Sequence, residues 1–285
     1  MPSEPTPQAY FHKVPNLKGV YCIALNRPKS KNAISVQMLQ DIENAIQQAV
    51  EEPSLNVLIF YSSTPGSFCA GADLIERRSM NEDQVRDFLS QLRLVFSSID
   101  RLEFPTICAI DGPALGGGLE LALTCDFRIC GAAQTSVPDA VMMMLFAARD
   151  VTKISFPEVR LGIIPGAGGT QRAPRLIGMT KAKELIFTGR SLTASDALEL
   201  GLVDYLADSS STAYERALKL SEEMAHSAPL ALRAAKTAIS RSCELPLESA
   251  LVHERLCYEP LLDTQDRLEA LDAFKEKRTP VFIGK

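Results

Sequence analysis

Asp111-Gly112-Pro113-Ala114-Leu115-Gly116-Gly117-Gly118-Leu119-Glu120 is the stretch that decides how this chain folds. It follows the apolar run Thr106–Ile110 and leads into a helical pattern, so its glycines fall where a strand hands over to a helix. Upstream, Phe68-Cys69-Ala70-Gly71-Ala72-Asp73-Leu74 repeats the arrangement after the apolar run Val57–Tyr61. Side-chain-free backbone at a helix start lets a ligand come close and offers N–H donors to developing negative charge. Glu120 falls in the first turn beside that backbone. The two segments together outline a site suited to handling an enolate.

Around them the pattern alternates strand and helix, which predicts an α/β core. Val20–Leu25 reads as a strand, and Val36–Val50 as a helix with Met38, Leu39, Ile42, Ala45, Ile46 and Ala49 at helical spacing. A second helix over Asp83–Ile99 carries Val85, Phe88, Leu89, Leu92, Val95 and Phe96, and Pro105 ends that run. From Thr180 onward the reading is almost wholly helical. Thr193 and Asp196 give a capping-box start, Gly201 a stop, and further helices are expected at 212–226, 229–241, 246–258 and 264–276. The expected organisation is a flexible lead over 1–18, an α/β core over 19–189, and a C-terminal helical region over 190–285 that acts as a lid or an oligomerisation surface.

The 285 residues can bury a sizeable core, and 46% hydrophobic with 23% charged residues is ordinary for a globular chain. A net charge of -5 weighs against non-specific nucleic-acid binding, which needs a basic face. Seven cysteines, without a CxxC pair and mostly in apolar runs, read as buried thiols of an intracellular protein. No stretch is long and apolar enough to span a membrane. The proline-rich start, Met1 to Gln8, resembles neither a secretory signal nor an organelle presequence.

Several chemistries find no support. Neither glycine segment, nor Gly166-Ala167-Gly168-Gly169-Thr170, spells GxGxxG or a P-loop, and there is no GxSxG elbow. His253-Glu254-Arg255-Leu256-Cys257 falls one residue short of a zincin motif; with three histidines in the chain, no metal site is expected. A triple glycine before a helix is by itself explained as readily by close helix–strand packing.

The combination of motifs resembles the enoyl-CoA hydratase/isomerase (crotonase) family. The matching residues are Leu25-Asn26-Arg27-Pro28-Lys29 with Asn32-Ala33, Cys69 to Asp73, Ala114 to Ala122, Cys125-Asp126, Phe156-Pro157-Glu158, and Pro165 to Arg172. The resemblance runs from about Gly19 to the end of the chain. Ala182 to Phe187, Asp266 to Glu269 and Ala273 to Pro280 are similar to the methylglutaconyl-CoA hydratase branch, some members of which also bind AU-rich RNA.

The resemblance implies a crotonase (ClpP-like) spiral core of repeated β-β-α units and a homotrimer or hexamer. It implies a lyase that hydrates a 2-enoyl-CoA, either 3-methylglutaconyl-CoA from leucine breakdown or another short-chain acyl-CoA of fatty acid metabolism, in mitochondria or otherwise in the cytoplasm or peroxisomes. Backbone amides of Ala70 and Gly117 would form the oxyanion hole, Glu120 would activate water, and Glu158 would deliver a proton. Coenzyme A, carried by the substrate rather than held as a cofactor, would meet Lys29, Lys31, Ala70, Ala72, Asp73 and Leu74, and Phe274 and Lys277 of a neighbouring subunit. The alternatives are an enoyl-CoA isomerase working on one carboxylate, and an RNA-binding protein with a vestigial pocket.

One departure stands out. In the family the two glutamates lie about twenty residues apart, whereas here 158 − 120 = 38. The extra residues fall over 134–151, which include the apolar run Ala140 to Ala148. This insert reads as a looped-out helix, an interaction segment, or translated sequence that the working protein lacks, as an unspliced intron would give. Strand-like Lys153–Phe156 separates it from Glu158, so it can bulge outward without moving that carboxylate.

Overall fold

The computed structural model describes residues 6–131 and 152–285. The insert over 134–151 lies outside the described residues. Six strands form one sheet: β1 (Ala9–Lys13), β2 (Val20–Leu25), β3 (Val57–Ser62), β4 (Thr106–Ile110), β6 (Phe127–Cys130) and β8 (Tyr205–Leu206), in that spatial order. β1 runs antiparallel to β2, and all other neighbours are parallel. A second, two-stranded parallel sheet joins β5 (Ala114–Leu115) to β7 (Ile154–Ser155).

The central strands are apolar throughout because both faces of the sheet are covered. Tyr21, Ile23, Leu25, Leu58, Phe60, Cys108 and Ile110 point into one core, shared with helices α1 (Val36–Glu51) and α3 (Glu82–Asp100). Their alternates, Val20, Cys22, Val57, Ile59, Ile107, Ala109 and Ile129, enter a second core with Ala213, Ala217 and Leu220 of α8 (Ala213–Ala225). The six residues of α1 read as its apolar face are all buried, each large one contributing about 1.5–3 kcal/mol relative to exposure. Ser35 caps α1 by accepting the Met38 amide at 3.0 Å. Asn81 and Gln84 close a capping box on α3.

Two expectations are corrected. Residues within the supposed flexible lead form β1, which pairs with β2 over five residues and buries Ala9. Nor does the core end at residue 189: β8 extends the sheet beside β6, and α8 covers the sheet's second face. Between these lie α5 (Gly169–Ile177), α6 (Met179–Thr188) and α7 (Ala194–Leu200), the last opened by the Thr193–Asp196 capping box and stopped by Gly201. Beyond Ala225 the chain is helical, with α9 (Pro229–Ser240), α10 (Leu247–Tyr258) and α11 (Gln265–Glu276). Ile239, Leu247, Leu251, Val252, Leu256 and Phe274 are exposed on these last three helices. No described helix is long and apolar enough to cross a membrane.

All seven cysteines are free thiols, and Cys22, Cys69, Cys108, Cys125 and Cys130 are buried. Cys69 donates to the Asn32 carbonyl at 3.0 Å. It lies between β3 and the short helix α2 (Leu74–Ser79), against helix α4 (Gly117–Ala122). That approach needs a glycine: a methyl group at Gly118 would sit 2.4 Å from the Cys69 carbonyl oxygen and 2.7 Å from its Cβ. Gly118→Ala should therefore destabilise the fold by about 1–3 kcal/mol, read as a lower urea midpoint, and reduce turnover by displacing α4.

Candidate active site

Three turns meet at the start of α4. Phe68 and Cys69 amides donate to the Pro113 carbonyl at 3.1 and 3.0 Å, and the Leu115 amide returns to the Cys69 carbonyl at 3.0 Å. Asn32, wholly buried with φ 55°, ties in the third turn. Its side-chain oxygen accepts from the Arg27 amide and the Thr64 hydroxyl, and its nitrogen donates to Ser62 Oγ and the Phe68 carbonyl. On the far side, the Gly116 amide donates to the Ser155 carbonyl of β7 at 2.9 Å. Since β7 leads directly into the 3-10 turn Glu158–Leu161, this pairing carries Glu158 to the mouth of α4.

Gly116 is where the two meet. Its φ of 49° with ψ of −120° suits only glycine, and a methyl group there would lie 2.6 Å from Glu158 Oε1. The glutamates have unlike surroundings. Glu120 is buried, and its Oε1 accepts the Ala167 amide at 2.8 Å and the Gly169 amide at 2.7 Å. Glu158 is buried too, but its Oε2 has no hydrogen-bond partner among the described residues.

Burial raises both carboxyl pKa values, and the neighbours then separate them. For Glu120 the Gly169 and Ala167 amides and the Arg172 charge pull back toward ionisation. Burial pushes Glu158 up to about 7, and the charge on Glu120 adds to the rise. The surroundings of Glu120 thus favour its ionised form more than those of Glu158 do, and Glu158 holds its proton to near neutrality. That is the polarity required of a base and an acid acting together.

Of the two amides expected to form an oxyanion hole, one is already engaged. The Ala70 amide, the expected donor, is spent on the Lys31 carbonyl at 3.0 Å. Two residues on, the Ala72 amide has no partner among the described residues, and neither has the Gly117 amide. They adjoin: a methyl group at Gly117 would lie 3.6 Å from the Ala72 nitrogen, and one at Gly71 would lie 3.4 Å from the Gly117 nitrogen. Asp73 is also diverted from the expected ligand contact. Its carboxylate caps α2 by accepting the Ile75 and Glu76 amides and pairs with Arg27 at 2.7 Å. Although burial opposes it, the Glu76 amide and Arg27 hold this carboxyl below its ordinary range.

The remaining expected residues lie farther out. Lys29 is exposed in the 3-10 turn Pro28–Ser30, Lys31 follows it in the left-handed region, and Leu74 opens α2 half exposed. Phe274 is 86% exposed on α11, and Lys277 caps that helix. The described hydrogen bonds and ion pairs of α11 stay within the C-terminal segment, so one chain alone does not tie Phe274 and Lys277 to the site. Among the described residues no three His, Cys, Asp or Glu cluster to hold a metal ion. Two contributors had no assigned role in the sequence: Asn32, and Ala72 as a donor. The sequence signal for both was membership of the motifs Leu25 to Lys29 with Asn32-Ala33 and Cys69 to Asp73, without a hint of which polar group was free.

Two unengaged amides beside two buried carboxylates in unlike surroundings suit an enzyme that polarises a carbonyl and moves protons at the adjoining carbons. The chain belongs to the enoyl-CoA hydratase/isomerase family, whose model matches residues 16–285. It is 52% identical over 277 residues to the enoyl-CoA isomerase/hydratase fer4 of Mycosarcoma maydis, covering 94% of each chain. It is 41% identical over 270 residues to the mitochondrial methylglutaconyl-CoA hydratase of Mus musculus, covering 94% of this chain and 80% of that protein. The crystal structure of an enoyl-CoA hydratase from Bacillus anthracis superimposes with a TM-score of 0.87 at 41% identity, covering 98% of this chain and 100% of that one. The fold is thus the crotonase α/β fold, and the chain is an enzyme of the enoyl-CoA hydratase family acting on acyl-CoA thioesters.

A protonated Glu158 is needed to give up a proton. The kcat/KM profile for an enoyl-CoA should therefore fall as pH rises through about 7, where Glu158 ionises, and fall again on the acid side as Glu120 takes up a proton. Initial rates across pH 5–9 with crotonyl-CoA check this.

Proposed function

We propose that the protein is a hydro-lyase that adds water across the double bond of a 2-enoyl-CoA thioester. The observation that carries this reading is the unequal treatment of two adjacent buried carboxylates. Glu120 Oε1 is held by two amides, while Glu158 Oε2 is left without a donor. The thioester oxygen would lie between the Ala72 and Gly117 amides, where the start of α4 adds its dipole. Glu120 takes a proton from water as the water oxygen bonds to C3, and the π electrons move through C2 onto the thioester oxygen. Collapse of that enolate takes the Glu158 proton onto C2. Transfer of a proton from Glu120 to Glu158 resets the pair.

Isomerisation of the double bond is the second reading, favoured by the name of the Mycosarcoma maydis relative. It needs only one carboxylate to remove and return a proton. Glu120→Gln separates the two: hydration should fall about 100- to 10,000-fold with loss of the base, whereas an isomerase driven by Glu158 would keep substantial turnover. The favoured substrate is a short branched acyl group, 3-methylglutaconyl-CoA being supported by the likeness to the mouse hydratase. That relative's mitochondrial name also supports a mitochondrial location. Comparing kcat/KM for crotonyl-, methylcrotonyl- and methylglutaconyl-CoA tests the preference; equal values for all three would remove it.

Coenzyme A would cross the exposed turn at Lys29 and Lys31 and the start of α2 at Leu74, with Phe274 and Lys277 arriving from a second copy. The exposed apolar side chains of α9, α10 and α11 support assembly through this region. Light scattering should report a trimer or hexamer. A monomer with full activity would refute both the assembly and the shared coenzyme A site.

A further inference from the structure

The loop that holds Glu120 is itself held from outside the site. Arg172, on the first turn of α5, donates from Nη1 to the Ala167 carbonyl at 2.7 Å. Its Nε meets Asp100 Oδ1 and Oδ2 at 3.0 and 3.1 Å, and its Nη2 also contacts Asp100 Oδ2. Asp100 is the last residue of α3, so the guanidinium bridges the end of one core helix and a loop at the start of another. Its side chain is 18% exposed, which limits competition from solvent.

The position of the anchored carbonyl matters. The Ala167 carbonyl belongs to the peptide unit joining 167 to 168. The unit before it carries the Ala167 amide and the unit after it carries the Gly169 amide, and both donate to Glu120 Oε1. Fixing the middle peptide plane therefore constrains both flanking donors. The planar fork of an arginine held by a carboxylate is well suited to this, since its several donors act along fixed directions.

We infer that Arg172, braced by Asp100, is a positioning residue for the catalytic base: it aims the Ala167 and Gly169 amides at Glu120 Oε1, which leaves Oε2 directed at the reacting water. This rests on Glu120 being the base of the reaction. The charges that face Glu120 are Arg172 from α5 and Glu158 from its 3-10 turn; the loop over 165–169 brings no charged side chain. Behind Arg172 stand Asp100 and, around Asp100, Lys236 and Arg101. Arg172 favours ionised Glu120, so its loss should make the base harder to ionise.

The test compares Arg172→Met, Arg172→Lys, Asp100→Asn and Glu120→Gln in the full-length enzyme, by pH–rate profiles with crotonyl-CoA and by thermal melting. Arg172→Met should lower kcat about 10- to 100-fold at nearly constant KM. It should also move the acidic limb of kcat/KM upward by about one pH unit. Arg172→Lys, keeping charge without the fork, should leave that limb in place with an intermediate kcat. Asp100→Asn should lower kcat by a smaller factor, again without raising KM. An acidic limb unmoved in Arg172→Met overturns the inference; if that variant does not fold, wild-type kcat in both Arg172→Lys and Asp100→Asn overturns it. Collapse of Glu120→Gln alongside either result confines the failure to Arg172, whereas retained hydration in Glu120→Gln refutes Glu120 as the base.

Discussion

Two carboxyl groups buried side by side cannot both be charged cheaply, and the architecture around α4 follows from how that conflict is handled. Burial alone would raise both together, which would leave no distinction between acid and base. The protein breaks the symmetry with backbone. Two amides and a nearby guanidinium serve Glu120, while Glu158 is left with an oxygen that nothing in the described chain satisfies. An unsatisfied buried oxygen costs stability in most settings. Here it keeps a proton available near neutral pH.

Long-range pairing supplies the placement. The two-residue strands β5 and β7 contribute little to the sheet system as a whole, yet they bring Glu158 against Gly116 from 42 residues away in sequence (158 − 116 = 42). Asn32 does comparable work for the turns that present the two free amides. With all four of its side-chain bonds made inside the protein, it fixes the turn at 27–33 against the ends of β3 and the segment leading to Ala72. A buried amide so fully satisfied specifies one geometry and resists alternatives.

Much of this was legible before any coordinates. The helices α1 and α3 announced themselves through apolar spacing, and α8 to α11 through the helical character of the chain beyond Thr180; their observed ends agree to within a residue or two. β1 did not, because Ala-Tyr-Phe-His-Lys has no strong apolar alternation and gains its place only by pairing with β2. The motifs pointed to Gly117, Glu120 and Glu158, which the fold brings together. They placed the partner amide at Ala70 instead of Ala72, for a reason no local pattern could reveal. Which amide is free depends on the Lys31 carbonyl, 39 residues upstream, accepting from Ala70 (70 − 31 = 39). Likewise Asp73, read as a ligand contact, is claimed by Arg27 and by the helix it caps.

The buried thiols have a consequence for how this protein can be observed. Alkylation proceeds by attack of the thiolate on the reagent, and burial pushes the Cys22 and Cys69 thiols up to about 12 and Cys108 and Cys130 well above their ordinary value. Cys243, by contrast, stands in solvent. Cys69 stands three residues before Ala72, and its thiol donates a hydrogen bond to the Asn32 carbonyl. Its modification therefore requires the Cys69–Asp73 turn to part from its anchor, which makes the reagent a native clock for opening of that turn, ticking independently of the surface thiol.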